Sequence, residues 1–465
     1  MSGSSRPEPL AEVEVVHSTT TRPNPSLASF SIAGLVGAEV EGRAATDKGT
    51  MRSSSAVICC ALGLVPWASC HEPQRRLHAA HQGASLQSPH NGAPSLRDEL
   101  LHLHKELVSI PSISGDENAV GSFLVEYLTE RGYNAERQFV EARDGTPNGK
   151  ERFNVLAWKG EGTASPKVVV TSHVDVVPPH IPYGIQSGKV SGDTMIKGRG
   201  SVDAKGSVAS MIVALNQLHG TNSVSAGDVM LLFVVGEEVS GDGMRAFGDS
   251  LARRAKHPAQ FNAVIFGEPT ENKLACGHKG GLFCDVVATG VPGHSGYPWL
   301  GKSANELMAR AMVKILDADL GSSELFGDTT FNIGRFQGGV AGNVIPETAV
   351  VKFAARVAIG PESSGHLIVK EKVERILDEV DEEVFELTCT HGFGSVESNC
   401  DVDGFEKITV NYGTDIPNLA GNHTRYLYGP GNILVAHGAR ENLTVADLEE
   451  AVEGYQKLIV HALQQ

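Results

Sequence analysis

The constraint that leaves this chain fewest options is an alternation. Through residues 153–266, short runs of β-branched and apolar residues take turns with longer segments of helical periodicity. Strands are expected at 153–158, 167–172, 228–235 and 263–266, with helices over 203–218 and 243–254 between them. Two helices precede the first strand, at 96–108, stopped by Pro111, and at 114–131, ended by Gly132. Such a rhythm builds an α/β fold, a mostly parallel sheet covered by helices. In open sheets of this kind, ligands collect outside the carboxyl ends of the strands.

Those ends are where the chemistry-bearing residues fall. The stretch KVVVTSHVDVVPP places His173 and Asp175 two residues apart, able to face the same way, one as a metal ligand and the other holding its second ring nitrogen. By itself, a polar strand end with a capped His accounts for this stretch equally well. Gly198-Arg199-Gly200-Ser201-Val202-Asp203 brings Asp203 to a helix start, where an N-cap role would also suffice. Glu237 and Glu238 follow the buried run LLFVV directly, and adjacent carboxylates at a dry strand end repel unless a cation is present. Glu268 follows AVIF, and His437 follows NILV, where a further strand is expected at 432–436. Two imidazoles and several carboxylates without thiolate suit zinc, manganese or cobalt. Five ligands are too many for one tetrahedral ion with an open position. They fit two ions sharing a carboxylate, with one acid left over as a general base.

The rhythm changes near Cys276. Strand 282–288, helix 303–316, strands 329–336 and 349–358, helix 366–380 and strand 384–389 follow the order of a ferredoxin-like α+β unit. This is expected as an insertion, a lid over 278–390, dividing a catalytic domain into 95–277 and 391–465. A final helix, capped by Thr444 and Asp447, runs to about residue 462.

The formal charge of −16, with no long basic run, argues against nucleic acid as a partner. No apolar run reaches transmembrane length, so the mature form is expected to have no membrane contact. Residues 1–50 are polar and aperiodic and are expected to be disordered. Residues 51–70 carry a basic start, an apolar run and small residues, the pattern of a signal peptide, with Met51 as the expected start and secretion as the consequence. Residues 71–94 read as a linker. Beyond that, Cys276, Cys284, Cys389 and Cys400 form an even set without CxxC spacing, and their pairing stays open. Sequons at Asn422 and Asn442 are compatible with glycosylation.

Seven pieces in order, SHVDVVP, GRGSVDAKG, GEE, GEP, GVPGHSGYP, GGVAGNVIP and AHG, resemble the M20 metallopeptidases over residues 95–465, and look closest to the secreted fungal-type carboxypeptidases among them. The resemblance implies a zinc-peptidase-like catalytic domain with an inserted lid and two Zn2+, for which Co2+ or Mn2+ could substitute. It implies that His173, Asp203 and Glu268 hold one ion and that Asp203, Glu238 and His437 hold the other, with Asp203 bridging. Asp175 matches the residue that orients the first His, and Glu237 the general base that serves the attacking water and then the leaving amine. His294 resembles an oxyanion-stabilising His that reaches a neighbouring active site in dimeric members, so a homodimer through the lid is in prospect. Asn343 and Arg356 resemble groups that hold a substrate carboxylate. The stretch GARENLTV after His437 departs from what many members carry. The implied substrates are peptides with a free C-terminus or, alternatively, N-acyl amino acids as in acetylornithine deacetylase. An inactive binding protein on the same fold is a remote third reading, since no ligand and no base has been lost.

Overall fold

The computed structural model of the chain describes residues 95–161, 166–254 and 261–465. The expectations for residues 1–50, 51–70 and 71–94 lie outside the described residues. Helix α1 (Leu96–Ser109) starts at Ser95, whose hydroxyl accepts from the Asp98 amide, and buries Leu100, Leu103 and Leu107 on one face. Then come α2 (Asn118–Glu130), β1 (Asn134–Val140), β2 (Arg152–Trp158), β3 (Val168–His173), α3 (Lys205–Gly220), β4 (Val229–Val234), α4 (Asp242–Arg254), β5 (Ala263–Gly267) and β6 (Leu274–His278).

The chain next builds a separate antiparallel sheet. It consists of β7 (Gly280–Thr289), α5 (Ala304–Asp317), β8 (Thr330–Gly338), β9 (Thr348–Val357), α6 (Gly365–Val380) and β10 (Phe385–Phe393). The strand order is β8-β9-β7-β10, the ferredoxin-like arrangement that the βαββαβ pattern calls for. Alternate residues of β7 and β9, such as Val286 and Val351, pack against Met308 of α5 and Val373 of α6 to form a core of their own.

After the insertion, β11 (Val396–Glu397) and β12 (Lys407–Val410) flank β6, β13 (Thr424–Tyr428) joins the main sheet, and α7 (Val445–Leu463) closes the chain. The main sheet has the order β1-β2-β4-β3-β5-β13. Strands β4, β3, β5 and β13 are parallel to one another. Helices α1, α3 and α7 cover one face, while Met244 and Phe247 of α4 pack on the other. Because β3, β4 and β5 are buried along their whole length, they read as unbroken apolar runs without alternation. Among the described residues, no helix is long and apolar enough to cross a membrane.

One strand lies outside the sequence expectations, and one local expectation is corrected. Strand β2 runs antiparallel to β4 and pairs with β1, an edge strand whose sequence, NAERQFV, has too few apolar residues to announce it. Residues 432–436 are not a strand. Asn432 accepts from the Leu434 amide and folds Ile433–Val435 into a short 3-10 turn with Leu434 87% exposed, and the sheet takes β13 instead.

The four cysteines pair as Cys276–Cys400 and Cys284–Cys389. The second bridge joins directly opposed residues of β7 and β10. The first ties β6, just before the chain enters the inserted sheet, to the segment just after it returns.

Candidate active site

The parallel strands bring their carboxyl ends together, and the side chains singled out there meet. His173 is the last residue of β3, Glu237 and Glu238 occupy the turn after β4, and Glu268 follows β5. Asp203 lies in the loop before α3. Its Oδ1 is 3.0 Å from Nε2 of His173, and its Oδ2 is 3.2 Å from Nε2 of His437. Each imidazole has a second carboxylate beside it. Glu268 Oε1 is 3.8 Å from His173 Nε2, and Glu238 Oε2 is 2.9 Å from His437 Nε2. Donor atoms of His173, Glu237 and Glu268 also lie within 4.8 Å of one another, as do those of His173, Asp203 and Glu238. Glu237 therefore lies within the group formed with His173 and Glu268. His437 comes from a loop residue with φ 60°, not from a strand end, and its side chain is 53% exposed.

Backbone geometry aims these groups. The Nδ1–H of His173 donates to the main-chain carbonyl of Asp175 at 2.9 Å, which leaves Nε2 free to ligate. The Asp175 carboxylate is 3.6 Å from that ring nitrogen and is mainly engaged elsewhere. It accepts from the amides of Glu237 at 3.1 Å and Glu238 at 3.3 Å and from the Ser114 hydroxyl at 2.7 Å. Asp175 thus braces the imidazole with its carbonyl and the dicarboxylate turn with its side chain. Gly236, at φ +77°, opens that turn, and a Cβ there would strike Asp242 and the Arg152 guanidinium. Arg152, fully buried, pairs with Glu117 at 2.9 Å and with Asp242, clamping the turn from beneath.

Burial pushes the carboxyls of Glu237 and Glu268 well above the usual range, and repulsion adds to it, from Glu268 on Glu237 and from Asp203 on Glu268. Glu238 is raised by burial and by Asp203. Burial would raise Asp203 too, but hydrogen bonds with His173 and His437 hold it below the usual range. Burial opposes a charged His173, yet its hydrogen bonds to Asp175 and Asp203 raise it well above an ordinary imidazole. Hydrogen bonds to Asp203 and Glu238 push His437 up to about 10. This is a nest of crowded, desolvated acceptors whose repulsion divalent cations would relieve, so the donor set fits metal.

The residues expected from the inserted sheet divide. His294 and Asn343 come together on a short ribbon in which His294 opposes Val344 and the Ser295 amide donates to the Asn343 carbonyl at 3.1 Å. Among the described residues, no hydrogen bond or ion pair joins either one to the cluster. Arg356, near the end of β9, lies 5.9 Å above the Phe283 ring and has no carboxylate in ion-pair range among the described residues. Burial lowers its pKa, and the negative charge of Glu237 opposes that shift.

Sequence reasoning missed several participants. Ser114 reads as a helix-start residue. Asp415, in NYGTDIP, has an unpartnered buried Oδ2 and is pushed up to about 6 by burial, with Asp175 adding to the shift. Tyr412 donates to the Pro269 carbonyl at 2.9 Å directly behind Glu268. Arg199 and Glu441 form a fully buried pair at 2.6 Å. An acid and a base so far apart in sequence give no local sign of meeting.

Residues 276–386 match the family described as the M20 peptidase dimerisation domain, and residues 154–281 match peptidase family M28. A "Peptidase M20 domain-containing protein" of Sordaria macrospora is 54% identical over 390 residues, covering 80% of this chain and 86% of the relative. A "probable carboxypeptidase" of Aspergillus terreus is 45% identical over 381 residues, covering 78% and 86%. In structure, the chain is similar to an M20 family metallo-carboxypeptidase from Sulfolobus solfataricus, with TM-score 0.62, 16% identity, and 79% and 100% of the two chains covered. It is also similar to a dinuclear metal-binding M20 peptidase of Bacillus subtilis, with TM-score 0.53, 15% identity, and 79% and 99% covered.

Proposed function

The chain belongs to the M20 peptidase family, and from that premise we propose that it is a carboxypeptidase that hydrolyses the amide bond next to a free carboxylate at a site built for two cations. One observation carries the reading. The two oxygens of Asp203 face different imidazoles, and each imidazole has its own further carboxylate, Glu268 beside His173 and Glu238 beside His437. We assign His173, Asp203 and Glu268 to one cation and Asp203, Glu238 and His437 to the other. Imidazole and carboxylate donors without thiolate suit two Zn2+, with Co2+ or Mn2+ as substitutes.

When bound, the cations supply Lewis acidity and bring the pKa of water towards neutrality. The protein's own groups do the rest. Glu237, raised by burial and by Glu268, takes a proton from the attacking water and passes it to the leaving nitrogen. Asp175 holds the Glu237 amide and so aims that carboxylate. Arg356, a guanidinium without an ion-pair partner among the described residues, is a waiting counter-charge for the substrate carboxylate, and Asn343, on the ribbon it shares with His294, is assigned the same role. His294 donates to the developing oxyanion of a second copy's site in a lid-mediated homodimer.

The catalytic part is assigned to residues 95–277 and 391–465 and the lid to 278–390, although the lid's last strand runs on to Phe393. The protein is secreted, with residues 51–70 as the signal. Two disulfides agree with an oxidising compartment. N-terminal sequencing of secreted material tests this, and a first residue well before Ser69 refutes it.

The activity is tested with zinc-loaded protein on free dipeptides, the same dipeptides amidated at the C-terminus, and N-acetyl and N-succinyl amino acids. Cleavage of free but not amidated dipeptides is expected. Cleavage confined to N-acyl amino acids makes the protein a deacylase with the same site, and cleavage of none overturns the reading.

A further inference from the structure

His437 is the least anchored member of the cluster. It sits in a loop at φ 60°, a left-handed conformation unfavourable for a non-glycine residue, and more than half of its side chain is open to solvent. Yet its ring must stay within reach of Asp203, which belongs to a loop far earlier in the chain. Two residues outside the donor set bridge these loops. Arg199, in the Asp203 loop, donates from Nη1 to Glu441 Oε2 at 2.6 Å and from Nη2 to the main-chain carbonyl of His437 at 3.2 Å. Glu441, in the His437 loop, accepts at Oε1 from the amides of Val202 at 3.1 Å and Asp203 at 3.3 Å. Each loop therefore sends a charged side chain to grip the other loop's backbone at, or next to, a ligand. The two side chains are 2% and 1% exposed, so solvent competes little for these bonds. The crossing continues as a short ladder in which Asn442, Leu443 and Thr444 pair with Lys197, Ile196 and Met195.

We propose that Arg199 and Glu441 are positioning residues that set the distance between Asp203 and His437 and thereby the affinity of the second cation. This rests on the assignment of Asp203, Glu238 and His437 to that cation. Neither side chain belongs to the first cluster of His173 and Glu268, so the first cation depends on the pair only through Asp203, which has His173 as its own partner. The stretch GARENLTV thus serves a local purpose, because its Glu441 locks the loop that delivers His437.

A buried pair could instead serve only the fold, and the test separates the two roles. Metal-depleted full chain is titrated with Co2+, read by bound ions per chain and by visible absorption. Wild type, E441Q, and the double variant R199M/E441Q are compared, with thermal unfolding recorded alongside. Wild type is expected to take two ions. E441Q should weaken the second step about 10–100-fold and leave the first within about threefold. The double variant removes both charges of the pair, so neither of the two is left without the other. It should recover thermal stability while its second step stays weak. An unchanged second step in E441Q overturns the inference, and so does a double variant with wild-type affinity. If E441Q does not fold, the double variant decides by the same readout. A wild type that takes up one ion overturns the two-cation reading itself, and this inference with it.

Discussion

His437 Nε2 lies 3.2 Å from Oδ2 of Asp203, although the whole inserted sheet lies between the two in sequence. Asp203 and Glu238 hold that imidazole protonated until about pH 10, so in the cation-free protein at pH 7 the ring carries a proton it must lose to ligate. Cation uptake is expected to release protons, and affinity to rise with pH, roughly tenfold per unit for each proton released. Calorimetry in two buffers of different ionisation enthalpy measures this. Affinity that falls with rising pH contradicts it. The sign for stability is opposite. A raised imidazole stabilises the cation-free fold below about pH 6.5, and that contribution is lost as pH rises through about 10.

Glu237 stands within ligand distance of His173 and Glu268, so its role as a base rather than a ligand needs its own check. Glu237→Gln is expected to retain both cations and lose turnover by about 10²–10⁴-fold. Elemental analysis beside kinetics decides. A variant that binds one cation fewer marks Glu237 as a ligand.

Arg356→Ala removes the guanidinium assigned to the substrate carboxylate. KM for free dipeptides is expected to rise by about 10–100-fold, corresponding to the roughly 1.5–3 kcal/mol of a hydrogen bond to a charged group. Discrimination against amidated dipeptides should collapse with it. Unchanged discrimination removes Arg356 from the clamp.

The Cys276–Cys400 bridge closes a sequence separation of 124 residues at the point where the chain enters and leaves the inserted sheet. Replacing both cysteines by Ser is expected to cost about 2–4 kcal/mol of stability. Denaturant unfolding measures it, and a loss well below about 1 kcal/mol would mean that the junction is held by its strands alone.

His104 is completely buried, its Nε2–H donating to the Ser201 carbonyl at 2.9 Å, and burial lowers its pKa to about 4. A depressed imidazole contributes stability that is present above the unfolded value of about 6.5 and is lost as pH falls through 4. The wild type should therefore lose stability faster than His104→Gln between about pH 6.5 and 4, by up to about 3 kcal/mol. Parallel urea midpoints for the two across that window would rule this out.

Much of the site was legible because burial writes itself into composition. β3, β4 and β5 have no solvent face, so their apolar runs are unmistakable, and a polar residue directly after such a run stands out. That pattern singles out His173, Glu237, Glu238 and Glu268 as candidates. Strand β1 was missed because an edge strand half open to water needs no apolar signature. The run NILV misled because Leu434, 87% exposed, is apolar without being buried.

By itself, the sequence determined the alternating architecture, the ferredoxin-like insertion and the donor types, since periodicity and residue chemistry are local properties. Only the tertiary structure decided which cysteines pair and that Asp175 braces the dicarboxylate turn. It also decided that Arg199 and Glu441 cross between the loops of Asp203 and His437. These are contacts between segments distant in sequence. Their geometry follows from how sheet, loops and insertion pack together, and no local pattern of residues encodes it.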